Sequence, residues 1–187
     1  SITGAWNNGL GITSNGNIIR GLQIQHFSGA GITIMGSNNI FGGSRLVGVG
    51  PTGQGNVVSG NEYVGIALGA DPASPIKSEN NQILGNIVGL KADGTQVFSN
   101  QGIGIGSWSS QNNIIGSMEA GKNNIISANA LAGIQFCNHA DEGNQVLGNY
   151  IGTDISGTLD RGNGGIGVYI ECGASTTLVQ GNLISAN

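Results

Sequence analysis

An all-β solenoid, a right-handed parallel β-helix of about six three-strand coils, is the fold class this chain predicts, and three observations predict it. The phrase NQVLGNYIGTDISGT at residues 144–158 repeats NQILGNIVGLKADGT at 81–95. It keeps its asparagines and glycines while exchanging one aliphatic residue for another, the mark of a repeat architecture. Composition is the second observation. Of 187 residues 36 are glycine, and only 9% are charged and 5% aromatic, which suits short strands broken by many turns. The third is that three short strand signals recur along the chain in a fixed order.

The first signal is N-x-[aliphatic or Phe]-x-[Gly or Ser]. It places Ile19, Phe41, Ile83, Ile115, Val146 and Val179 at one equivalent position, the last copy opening with Thr177 instead of asparagine. The second opens at Asn56, Asn86, Asn124, Asn149 and Asn182, with residues 22–24 as a degenerate first member. It aligns Ile24, Val58, Val88, Ile126, Ile151 and Ile184. The third, Gly-[Ile/Val]-x-[apolar], falls at residues 31–34, 65–68, 102–105, 133–136 and 167–170. Apolar residues two apart, bounded by glycine or asparagine, form no 3.6-residue stripe of helical length. A stack of hairpins leaves the constant order of the three signals unexplained. A chain that winds over three faces and returns to the first explains it, rising about 4.8 Å per coil.

The shortest interval between copies, 22 residues from Asn17 to Asn39, is a bare coil; the others, 31–42 residues, are coils with insertions. Each inward aliphatic residue contributes roughly 1.5–3 kcal/mol before its entropy is charged against it. The asparagines mark corners, where amides stack and a left-handed backbone is tolerated. Insertions at 44–54 and 118–122 separate first from second strands, and those at 90–100 and 153–163 separate second from third. They alternate, so the unit is two coils. Residues 70–80 and 137–143 leave after third strands, and one-sided insertions are where solenoids meet ligands. Residues 183–187 stop partway through a coil, while Ile2, Trp6, Leu10 and Ile12 look like the remnant of a preceding one. A single domain over 1–187, uncapped at both ends and part of a longer protein, is the expectation.

The sequence N-x-[IV]-x-G-N-Y-I-G-T-D-x-x-G-T, preceded by N-N-I-I-S-A-N and followed by G-N-G-G-x-G-V-Y-I, resembles a large group of bacterial right-handed β-helix repeat proteins that share the pectate-lyase-like superfold. The resemblance spans the chain and is strongest over 112–187. It implies an extracellular or cell-surface origin and no particular reaction, because that superfold hosts lyases, hydrolases, epimerases, phage tailspikes and adhesins.

The chemistry-bearing residues are few. A net charge of −4, with six Lys and Arg scattered along the chain, excludes the basic stripe of a nucleic-acid binder. No apolar run approaches the roughly 18 residues of a membrane span. Enzymes of the superfold use paired acidic groups or an acidic calcium site on adjacent coils, but no Asp-x-Asp or Asp-Asp occurs. The nearest grouping is Asp71, His139, Asp141, Glu142 and Glu171, which follow third strands and share one corner, as a solvated rim, a calcium site or, least of the three, a catalytic group. Asp93 and Asp154 occupy matching places in LKADGT and GTDISGT, where an Asx turn and a calcium ligand are the two readings. Calcium is the one cofactor these groups leave open.

Cys137 and Cys172 follow third strands in successive coils, near enough for a disulfide. Strand parity points the first outward and the second inward, which favours two free thiols. The same parity turns Val57, Ile87, Ile125, Tyr150 and Leu183 outward as an apolar stripe. Either inserted loops such as residues 46–47 or 97–98 cover it, or it meets another chain or a sugar. The expected role is a rigid structural, adhesive or assembly module whose partners are other protein chains or polysaccharide. The rival is part of a polysaccharide lyase or hydrolase, or a tailspike that trimerises through the stripe.

Overall fold

The computed structural model describes residues 7–49, 52–69 and 78–187. Ile2, Trp6 and Asp71 lie outside them. Among the described residues there is no helix, and three six-stranded sheets, parallel throughout, run the length of a β-helix. The first sheet stacks Ile18–Ile19, Ile40–Gly42, Gln82–Leu84, Ile114–Gly116, Gln145–Leu147 and Leu178–Gln180. The second stacks Gln23–Ile24, Val57–Val58, Ile87–Val88, Ile125–Ile126, Tyr150–Ile151 and Leu183–Ile184. The third stacks Leu10–Ile12, Ile32–Ile34, Ile66–Leu68, Ile105–Ser107, Ile134–Cys137 and Val168–Glu171.

Each strand pairs with its counterpart one coil away. Ile19, Phe41, Ile83, Ile115, Val146 and Val179 form one continuous register. Ile24, Val58, Val88, Ile126, Ile151 and Ile184 form another. Most of these side chains meet in a single apolar core with the inward residues of the third sheet.

The third sheet departs from its expected alignment in one coil. Ile105 pairs with Ile66 and Ile134, and Ser107 pairs with Leu68 and Phe136. The strand therefore starts two residues later than a reading of 102–105 places it. Ile103 moves outside, against Val64, Ala67, Ala132 and Trp108, and Ser107 takes an inward place. The cause is a third asparagine ladder, Asn61, Asn100, Asn129, Asn163 and Asn187. The glycine of each third strand lies four residues after its ladder asparagine, at Gly65, Gly104, Gly133 and Gly167, so Asn100 selects Gly104 over Gly102.

All three corners are built alike. Asn124 shows the full pattern. Its backbone N–H and its Nδ2 both donate to Asn149 Oδ1, at 3.1 and 2.9 Å, and Nδ2 also donates to the Ile83 carbonyl at 2.8 Å. Its own Oδ1 accepts from the N–H and Nδ2 of Asn86, at 2.8 and 3.1 Å. Both amide hydrogens and both oxygen lone pairs are thus used, which is all an asparagine side chain can offer. The residue before the first-corner asparagine is left-handed, as at Asn38, Asn80, Asn112 and Gly143, with φ between 53° and 66°. This accounts for the Asn-Asn pairs at this corner: one amide tolerates the turn and the next joins the ladder.

The insertions alternate as expected, and each is braced to its counterpart two coils away. The hairpins at 90–97 and 153–160 share their closing bonds, Lys91 N–H to Gln96 O at 2.8 Å and Asp154 N–H to Leu159 O at 3.0 Å. They touch through Ile155 N–H to Gly94 O at 2.9 Å, and Arg161 Nε donates to Thr95 O at 2.6 Å. On the opposite corner Arg45 N–H donates to Gly121 O at 2.9 Å, and Arg45 Nη2 donates to Asn123 Oδ1 at 2.8 Å. The bare coil between them passes through Gly85, with φ of 64°. A Cβ there would collide with the Gly43 carbonyl and lie 2.8 Å from that of Gly121.

Replacing Asn124 with Asp removes both Nδ2 donors and buries a charge. A loss of about 3 kcal/mol or more is expected at neutral pH, read from urea denaturation. The same change at the more accessible Asn182 costs clearly less.

Candidate functional site

The acidic corner divides into an inside and an outside. Asp141 is fully buried, pointing into the β-helix rather than joining a rim. Residue 110 pairs with Ser78, and Gln111, Glu142 and Ser175 continue the same register. Ser78, Ser110, Asp141 and Ala174 therefore form an inward ladder three residues ahead of Asn81, Asn113, Asn144 and Thr177. Asp141 Oδ1 accepts from Ser107 Oγ at 2.8 Å and from the Ser110 N–H at 2.7 Å. The Ser107 and Ser110 hydroxyls are also bonded to each other. Ser107 faces this group because of the two-residue shift in its strand. Asp141 Oδ2 and Ser109 Oγ are buried with no hydrogen-bond partner among the described residues. Burial pushes the Asp141 carboxyl above its ordinary pKa, against the hydrogen bonds from Ser110 and Ser107 that favour the anion.

Outside, His139 and Glu142 are exposed and Glu171 is half-buried. Cys137 and Glu171 are paired neighbours on the outer face of the third sheet. Cys137 and Cys172 form a disulfide with Cα atoms 4.9 Å apart, which corrects the expectation of free thiols. Parity failed because Cys172 has a left-handed backbone, φ 54°. The strand alternation ends at that residue, and its thiol swings to the outer side. Glu171 accepts a hydrogen bond from Gln135 Nε2 and another from the Tyr169 hydroxyl, whose pKa it raises first by that bond and then by its charge.

Asp93 and Asp154 do not occupy matching places. Aligned on their closing hydrogen bonds, the two hairpins superpose Lys91 on Asp154 and Asp93 on Ser156; the shared Gly-Thr steps at 94–95 and 157–158 fix this. Asp93 Oδ1 caps the N–H groups of Thr95 and Gln96 at 2.8 and 3.0 Å. The bonds from Gln96 and Thr95 lower its pKa to about 2. The turn's preference for the anion is therefore complete above the usual Asp pKa and is lost as pH falls from there through about 2. Asp154 is buried, which raises its pKa, but bonds from Ser156 Oγ and the Leu159 and Thr158 N–H groups outweigh this and hold it low. Each aspartate is used in its own turn. Among the described residues neither belongs to a group of three side chains able to share a metal ion.

The outward stripe exists in register through Val57, Ile87, Ile125, Tyr150 and Leu183, but its first three members are fully buried. Leu90, Ala92 and Ala128 cover them, so the chain's own corner and hairpin do so. Of residues 46–47 and 97–98, Leu46, Val47 and Val97 are exposed and Phe98 is half-buried. Tyr150 and Leu183 remain accessible on this stripe.

Two open grooves flank the hairpin at 90–97. One, of about 440 Å³, is lined by Gln23, Gln25, His26, Lys91, Asp93 and Phe98, with the His26 and Phe98 rings edge to face at 5.2 Å. The other, of about 400 Å³, includes Asp160, Arg161, Ser99 and Asn129. Each groove holds one carboxylate and one cation. Sequence reasoning missed His26 and Lys91 as neighbours because only the hairpin's folding over the second sheet brings them together. No protein-family model, curated protein or solved structure matches this chain.

A carboxyl whose pKa is higher folded than unfolded holds its proton better in the folded state. Its stabilising share is therefore complete below the ordinary Asp pKa and is lost as pH rises through the raised value. Replacing Asp141 with Asn should thus gain on the natural protein as pH rises, reaching about 1 kcal/mol or more near neutrality. Urea midpoints from about pH 4 to about pH 8 read the crossover.

Proposed function

We propose that this chain is a rigid module of an extracellular or cell-surface bacterial protein, in the pectate-lyase-like group of β-helix proteins. Its role is that of a spacer, adhesive or assembly element, and this segment carries no catalysis. The observation that carries the reading is where its polar groups are used. The corner asparagines are bonded to one another coil after coil, Asp93 and Asp154 hold their own hairpins, and Arg45 and Arg161 brace insertions two coils apart. Such a chain transmits force and position along its axis, because bending would have to break several stacked hydrogen bonds at once.

A second reading is polysaccharide binding in the groove of Gln23, His26, Lys91, Asp93 and Phe98. It is favoured by an aromatic edge beside several hydrogen-bonding groups in one concavity. Light scattering and affinity electrophoresis in acidic polysaccharide, each with and without calcium, separate the possibilities. A spacer gives a calcium-indifferent monomer with unretarded mobility. An assembly element gives a discrete oligomer. Retardation that is lost on changing Lys91 to Ala would favour the groove. Release of unsaturated or reducing sugar ends by the purified chain would sink the non-catalytic reading.

A further inference from the structure

The outer face of the third sheet carries donors that neither the ladders nor the hairpins use. Cys137 and Glu171 are register partners in adjacent coils, and the left-handed turn at Cys172 brings its sulfur to the same side. The two sulfurs and a Glu171 carboxylate oxygen all lie within 4.8 Å of one another. Glu171 is oriented by a hydrogen bond from Gln135 Nε2. Such outer hydrogen bonds fix a ligating carboxylate in many metal sites. Cys172 is exposed, so a reductant can reach the bond from solvent.

We propose that Cys137, Cys172 and Glu171 form a redox-gated site for a thiophilic divalent cation of the zinc class, closed while the disulfide is intact and opened by its reduction. A dithiol reductant delivers two electrons and two protons, breaking the S–S bond to two thiols and itself becoming a disulfide. The cation then displaces both thiol protons and is held by two thiolates and the carboxylate, with the solvent side open to a water molecule. The donor set decides the class: two thiolates select zinc-like ions, whereas calcium and magnesium require oxygen ligands. Either state joins the last two coils of the third sheet. Oxidised, a covalent bond does so; reduced, a metal clip does.

Cobalt(II), a spectroscopic stand-in for zinc, tests this on the full chain, either oxidised or reduced with a phosphine that is then removed without air. Circular dichroism confirms the fold of each sample. The reduced chain should bind one cobalt with a thiolate-to-metal charge-transfer band that zinc abolishes, and the oxidised chain should show no band. Glu171→Gln, a change on the outer surface, should keep the band but weaken binding by at least about ten-fold. Absence of the band in the folded, reduced chain would overturn the proposal. So would equal cobalt affinity in the oxidised chain or in the Glu171→Gln variant.

Discussion

Every level of this structure depends on the saturated amide of a buried asparagine. A coil must turn three times while its backbone passes through the protein interior, where an unpaired polar group costs about 1–3 kcal/mol. Asparagine resolves this because its side chain copies a peptide group, with two hydrogens to give and an oxygen that accepts twice. At Asn124 every one of these valences is met by the coils on either side. The fit holds only when successive coils lie about 4.8 Å apart and in register. The ladder thus fixes the rise and the alignment of the sheets together. The apolar residues then fill a tube whose geometry is already set.

The two-coil period of the insertions follows from that rise. A hairpin lying on a sheet occupies about 10 Å, roughly twice the height of one coil, so adjacent coils cannot both carry one at the same corner. The bare coil between two insertions is tightly packed. At Gly85 the carbonyls of Gly43 and Gly121 leave no room for a side chain. The arginines that span such gaps at the two corners, Arg45 and Arg161, bond to backbone carbonyls at the insertion two coils away, and Arg45 to a side-chain amide as well. They serve spacing rather than charge pairing, which fits a chain with few acidic neighbours for them.

The fold was legible because it is written in period-2 apolar pairs and in asparagines, both local signals. Two of the three registers follow residue for residue. The third slipped at residues 102–105 because Gly102-Ile103 and Gly104-Ile105 are equally good strand openings. Only the asparagine four residues upstream distinguishes them, and that ladder has no strand signal directly after it. The candidate site was far less legible. Strand parity extrapolates correctly while the backbone stays extended, and the relevant residues lie just past the point where it does not. Cys172 is left-handed, so its thiol turned outward to meet Cys137. The position of Asp141 was recoverable, since it stands three residues before Asn144 as Ser110 stands before Asn113, but it read as part of an acidic surface run.

That corner shows how one short segment divides between fold and surface chemistry. Asp141 and Glu142 are adjacent, yet the first ends in the core against Ser107 and Ser110 and the second in solvent. Glu171 belongs to the next coil and faces out beside the disulfide. A carboxylate count over this corner therefore overstates its capacity to bind a hard cation, because the most enclosed member faces away from the others. The outward set is instead rich in sulfur, with a single oriented carboxylate. Its chemistry follows the oxidation state of Cys137 and Cys172. The same alternation that builds the core has thus decided which residues are left available for any function beyond it.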